Sequence, residues 1–152
     1  MSRIRRILHP SDFSRASDAA FAKALELART NRAELLVVHV LTPVIPMVGD
    51  GYVSPKVYEE IEATSHAQAK TQLDRLLAKA RKARVRVKGL LIEGMPYEQI
   101  TRAARSKRVD LVVIGTHGRT GLAKFFLGSV ASRVVSTATC PVLTVRGKTS
   151  AR

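Results

Sequence analysis

Gly115-Thr116-His117-Gly118, then nine residues, then Gly128-Ser129, is the pattern whose residue types and spacing are best suited to chemistry. The apolar run Leu111-Val112-Val113-Ile114 precedes it, and Ala131, Val134, Val135 and Ala138 follow it at helical spacing. Strand, glycine-punctuated loop and helix in that order bring bare amides and a helix N-terminus to the carboxyl end of a parallel strand. The partial positive charge there receives a phosphate, so the expected task is to hold a nucleotide. Gly118 and Gly128 read as points of close backbone approach where a positive φ favours glycine. Ser129 reads as the N-cap of the next helix, a role compatible with a phosphate contact.

Other chemistries fail on context. Gly147-Lys148-Thr149 looks like the end of a Walker P-loop, but Val142 stands where the loop's first glycine belongs and no helix follows. No Gly-x-Ser-x-Gly elbow surrounds Ser129, and His9, His39 and His66 lack metal-ligand spacing. His9 and His39 lie in strand-like runs and read as packed or hydrogen-bonded residues. No carboxylate cluster suggests a dedicated metal cage, and no catalytic residue stands out.

The elements that must position this loop follow from alternating periodicity. Ile4 to His9 is a short strand, and Ser14 caps a helix carrying Ala16, Ala20, Ala24 and Leu27 that fades at Thr30-Asn31. Glu34 to Leu41 is almost continuously apolar, as a central parallel strand requires. After Thr42 the period is lost through Pro43, Pro46, Gly49 and Gly51, until Ser54-Pro55 starts a long helix. Val85 to Ile92 is a third strand, Pro96 starts a shorter helix, and Pro141 to Val145 is the last strand. Internal repeats read as absent. One domain over residues 1–147 with a frayed polar tail at 148–152 is expected.

Five strands and four helices in alternation give a doubly wound α/β sheet with helices on both faces, and ligands collect where the strand order reverses. An order of 3-2-1-4-5 sets Pro10-Ser11-Asp12 opposite Gly115 to Gly118. Asp12 would then serve the ligand or cap the first helix. The last strand would be an open edge, and pairing Val142, Leu143 and Val145 with a second copy would protect it.

The net charge of +14 and pI of about 10.9 favour anionic partners without naming one. No aromatic residues interleave with the basic clusters, so a solvated basic surface is favoured over specific nucleic-acid binding. No apolar run approaches the ~20 residues of a membrane span, and Cys140 has no partner. A buried structural thiol and a cytoplasmic location are expected.

The chain resembles the universal stress protein family, in the subclass that binds ATP. The resemblance rests on Ile-Leu-His-Pro-Ser-Asp-Phe-Ser at 7–14, Val38-His39-Val40, Gly115-x2-Gly118-x9-Gly128-Ser129 and Cys140-Pro141-Val142-Leu143. It implies an adenine nucleotide α-hydrolase-like fold of the same 3-2-1-4-5 order and a homodimer through the last strand. It also implies that Asp12 meets the nucleoside, with Pro10 and Ser11 shaping the wall beside it, while the main chain of Val40 pairs with the adenine edge.

Gly115, Thr116, His117 and Gly118 would wrap the phosphates, and Gly128, Ser129 and Val130 would close the far side. The His117 ring would reach the phosphate or leave that to its backbone. Arg119 and Lys124 would neutralise charge or simply decorate a basic loop, and Phe125-Phe126-Leu127 reads as packing or a dimer contact. Mg2+ or Mn2+ would bridge the phosphates with few protein ligands. The resulting expectation is a nucleotide-dependent stress-response or signalling module, with at most slow ATP hydrolysis or autophosphorylation. A nucleotide-dependent phosphotransferase or ligase-like enzyme, and a basic nucleic-acid-associated module, stand as alternatives.

Overall fold

The computed structural model describes residues 3–43, 54–117 and 127–147. Much of the loop after Thr42, together with Gly118, Arg119, Lys124, Phe125, Phe126 and the 148–152 tail, lies outside the described residues. The elements are β1 (Arg6–Pro10), α1 (Arg15–Asn31), β2 (Glu34–Leu41), α2 (Pro55–Lys82), β3 (Val87–Glu93), α3 (Pro96–Ser106), β4 (Leu111–Gly115), α4 (Ser129–Thr137) and β5 (Val142–Val145). The five strands form one parallel sheet in the order β3-β2-β1-β4-β5. The reversal falls between β1 and β4, as expected.

Strand alternation builds a core on each face. Ile7, Leu35, Val37 and Val113 meet Phe21 and Ala24 of α1 and Leu73 and Leu77 of α2. Leu8, Leu36, Val38 and Val112 meet Ile100 and Ala104 of α3 and Val134 of α4. Cys140 is half-buried against the second core, and that burial pushes its thiol pKa up.

Caps define two helix starts. The Ser14 side chain accepts the Ser17 amide, and that of Ser54 accepts the Val57 amide ahead of Pro55. At α4 the expectation is corrected: the N-cap is Gly128, with no side-chain cap bond, and Ser129 is the first helical residue. Gly128 has φ −59°, so no positive φ demands glycine there.

The helix ends share a short turn sequence. Three of them read Ala-Arg-x-x-Arg-Ala/Val: residues 28–33, 80–85 and 104–109. In each, the second arginine takes a left-handed conformation, with φ 54° at Arg32, 61° at Arg84 and 52° at Arg108. The next amide returns to the carbonyl five residues back: Ala33 to Ala28 (2.8 Å), Val85 to Ala80 (3.0 Å) and Val109 to Ala104 (2.9 Å). This is the hydrogen bond of a Schellman helix end, and Ala33, Val85 and Val109 are buried beneath it. The left-handed position favours glycine or asparagine, and another residue there costs of order 1 kcal/mol.

Candidate functional site

The carboxyl ends of β1 and β4 part around a cavity of about 260 Å³, where the crossovers diverge to opposite faces. Of the residues singled out from the sequence, Pro10, Ser11, Asp12, Val40, Gly115, Thr116, His117, Gly128, Ser129 and Val130 all line it. Gly118, Arg119 and Lys124 lie outside the described residues. Sequence reasoning missed seven lining residues: Ser17, Val38, His39, Pro96, Ile100, Ile114 and Ala131. Most supply apolar wall, and Val38, Ile100, Ile114 and Ala131 also belong to the second core, so no sequence signal sets them apart from ordinary core positions.

On one side, the turn after β1 is held by local bonds. The Ser11 hydroxyl accepts the Phe13 amide (3.0 Å) and is 3.3 Å from the Ser17 hydroxyl, while Asp12 Oδ1 accepts the Ser14 amide (2.9 Å). Asp12 therefore shapes the turn before α1, while the cap itself is Ser14. These bonds hold Phe13 at φ 62°, a strained value for an aromatic residue. The Phe13 ring stacks on His39 with centroids 4.2 Å apart, and His39 Nδ1–H donates to the Ser11 carbonyl (2.7 Å). Backbone, side chain and ring contacts thus fix the Asp12 segment against β2.

Beneath the turn, His9 is fully buried in β1. Its Nδ1–H donates to the Val113 carbonyl (3.0 Å), so Nε2 carries the lone pair and meets no partner among the described residues. Burial pushes its pKa down to about 4, against smaller opposing effects of the Val113 bond and of Asp12 and Asp18. At neutral pH His9 is an uncharged core residue.

On the opposite side, Thr116 Oγ1 and His117 Nδ1 are hydrogen-bonded at 2.9 Å, and the Gly128 amide donates to the Thr116 carbonyl at 2.6 Å. That bond removes the Gly128 amide from the set of donors expected for a phosphate. The first-turn amides of α4, at Ser129, Val130 and Ala131, have no intrahelical acceptor and open beside the cavity without a side-chain cap. Such a helix end attracts an anion. A Cβ added to Gly115 would meet its neighbours at 3.5 Å or more, so this glycine is not required by space. Gly147 is: its Cβ would stand 2.6 Å from the Ala16 carbonyl oxygen.

No group of acidic, histidine or cysteine side chains among the described residues could hold a metal ion. A divalent ion here would take its ligands from phosphate oxygens and water. The cavity thus offers a carboxylate, hydroxyls and apolar walls at one side and bare amides at the other, a combination suited to a sugar, a flat base and an anion.

Comparison with known proteins is consistent with this architecture. Universal stress protein MJ0531 of Methanocaldococcus jannaschii is 34% identical over 93% of this chain and 82% of its own length. The solved structure of MJ0577 from the same organism is 27% identical, with a TM-score of 0.85 over 98% of this chain and 100% of that one. The universal stress protein of Archaeoglobus fulgidus in complex with dAMP shares the fold, with a TM-score of 0.63, 24% identity, and coverage of 95% and 100%. The universal stress protein family model matches residues 3–146, and the chain belongs to that family.

Proposed function

We propose that the chain binds an adenine nucleotide, ATP with Mg2+ or Mn2+ bridging its phosphates, in the crevice between β1 and β4. The bound nucleotide would set the conformation or partner affinity of a cytoplasmic stress-response module. One observation carries this reading: Asp12 and the uncapped start of α4 line a single, largely apolar crevice. Asp12 would accept from ribose hydroxyls or the adenine amino group, the Val40 main chain would meet the base edge, and the α4 amides would receive the phosphates. That a protein of this fold is in complex with dAMP supports the ligand class.

Isothermal titration in Mg2+ buffer tests the reading. ATP should bind at least about tenfold more tightly than GTP, a difference of ~1.4 kcal/mol. Equal affinity for the two, or binding of neither, would overturn it.

The proposed assembly is a homodimer through β5. This strand ends the sheet with Leu143 exposed and Val142 and Val145 half-buried, an edge that a second copy would cover. Sedimentation at micromolar concentration reports the state, and a monomer would refute it. No helix among the described residues is long and apolar enough to cross a membrane.

A further inference from the structure

We propose that the amino-terminal end of the sheet is a docking surface for the phosphate backbone of a nucleic-acid duplex, gripped without regard to sequence by the arginines of the repeated turns. This is independent of the nucleotide reading, because the cavity lies at the opposite end of the same strands.

Charge is the first support. In a parallel sheet, strand starts and helix ends share one end; here the charged ones are residues 3–6, 29–34, 79–88 and 105–110, while the junction of α4 and β5 at 137–142 carries no charge. They carry fourteen basic residues against two acidic ones, a net +12 of the chain's +14. Neither acid cancels the surface. Asp110 Oδ2 accepts the Arg5 and Arg6 amides (2.8 and 3.0 Å), and Glu34 is shared between Arg6 and Lys88 (3.6 and 3.7 Å). The six repeat arginines, Arg29, Arg32, Arg81, Arg84, Arg105 and Arg108, are all exposed. Among the described residues none of them pairs with a carboxylate.

Backbone strain is the second. A lysine or arginine in the last helical turn serves the helix dipole, which accounts for Arg29, Arg81 and Arg105. It does not account for arginine at the left-handed position three times over, where glycine would be more stable. Stability has been given up at Arg32, Arg84 and Arg108 to place a guanidinium, and such sacrifice points to function. Guanidinium is also the group that matches phosphate with paired donors.

Shape and composition select the partner. The turns precede β3, β2 and β4, with the arginines ahead of β1 between them, a row spanning three strand spacings or about 14 Å. A duplex offers one phosphate charge per ~1.7 Å of axis. A hollow of about 280 Å³ lined by Arg29, Arg32, Arg84 and Arg86 separates two of the turns. The four segments contain no aromatic residue on which single-stranded bases would stack. Of the exposed large apolar residues among those described, Val57, Ile61, Met95, Leu127 and Leu143 lie elsewhere and Val135, in the last turn of α4, stands alone near this end, which disfavours insertion into a lipid surface.

Fluorescence anisotropy with a labelled DNA duplex of random sequence, across a salt series, tests the proposal. The triple variant Arg32→Gly, Arg84→Gly, Arg108→Gly should lose about 10- to 100-fold in affinity, and its log-log salt slope should shrink by about 2–3. Its melting temperature should stay level or rise, because glycine adopts the left-handed turn freely. Asparagine at the same three positions should reproduce the loss of affinity. A control removing equal charge elsewhere, Lys23→Gln, Lys56→Gln, Lys70→Gln, should stay within about threefold of the parent. Equal losses in the two triples would reduce the effect to net charge and overturn the proposal. So would absence of duplex binding at low salt, or binding to phosphatidylserine vesicles without binding to the duplex.

Discussion

The two ends of the sheet face opposite electrostatic conditions, set by the fold before any side chain is chosen. Every helix of a parallel α/β sheet starts at the carboxyl end and finishes at the amino end, so the dipoles present partial positive charge to one and partial negative charge to the other. At the carboxyl end, α4 offers backbone amides to an anion, and the surrounding cavity has an acid at Asp12. At the amino end four helices each contribute about −0.5 charge, a small opposition to a net +12 of side chains. One end is suited to a small anion enclosed by fixed backbone donors, the other to an extended polyanion met by long exposed side chains. Salt separates such modes, because exposed charges are screened within ~10 Å at 0.1 M while enclosed donors are screened much less.

Three changes at the carboxyl end sharpen this contrast. The largest effect is expected from acid. The pKa of His9 is about 4 when folded against an ordinary 6.5, so its contribution is intact above pH 6.5 and is lost as the pH falls toward 4. The loss amounts to about 3 kcal/mol. Urea unfolding at pH 7 and pH 4 should therefore show a pH dependence that His9→Leu reduces by roughly that amount; an unchanged difference would show that His9 is not the group responsible. Next, Gly147→Ala drives a methyl into the Ala16 backbone and should destabilise by about 2–3 kcal/mol in thermal or urea unfolding. A neutral result would mean that the β5 terminus shifts away from α1 without cost.

The smallest of the three is Asp12→Asn. It retains an oxygen to accept the Ser14 amide but removes the charge, and it should weaken ATP about tenfold while leaving duplex affinity within about twofold. Equal losses for both ligands would break the separation of the two ends.

Much of the fold was legible because its signals are local. Glu34 to Leu41 is a strand over the whole span that its apolar run suggested, and Ser14 and Ser54 cap where their side chains predict. The errors share a cause in turn chemistry. The third strand was expected from Val85 and starts at Val87, because Val85 is apolar to fill the space under the Schellman turn. A glycine N-cap leaves no side-chain signature, so the role passed to the neighbouring serine. The repeated hexapeptide hid among general basic clusters, its variable pairs Thr-Asn, Lys-Ala and Ser-Lys masking the fixed positions. The cavity's polar residues were readable from the paired loops. Its walls at Pro96 and Ile100 were not, because only the docking of α3 brings them across the sheet.

The bond from the Gly128 amide to the Thr116 carbonyl ties together two points twelve residues apart. It anchors the start of α4 to the end of β4 within the protein itself. The amides of Ser129, Val130 and Ala131 therefore keep their place beside the strand before anything binds, and an anion arriving there would meet donors that need no rearrangement.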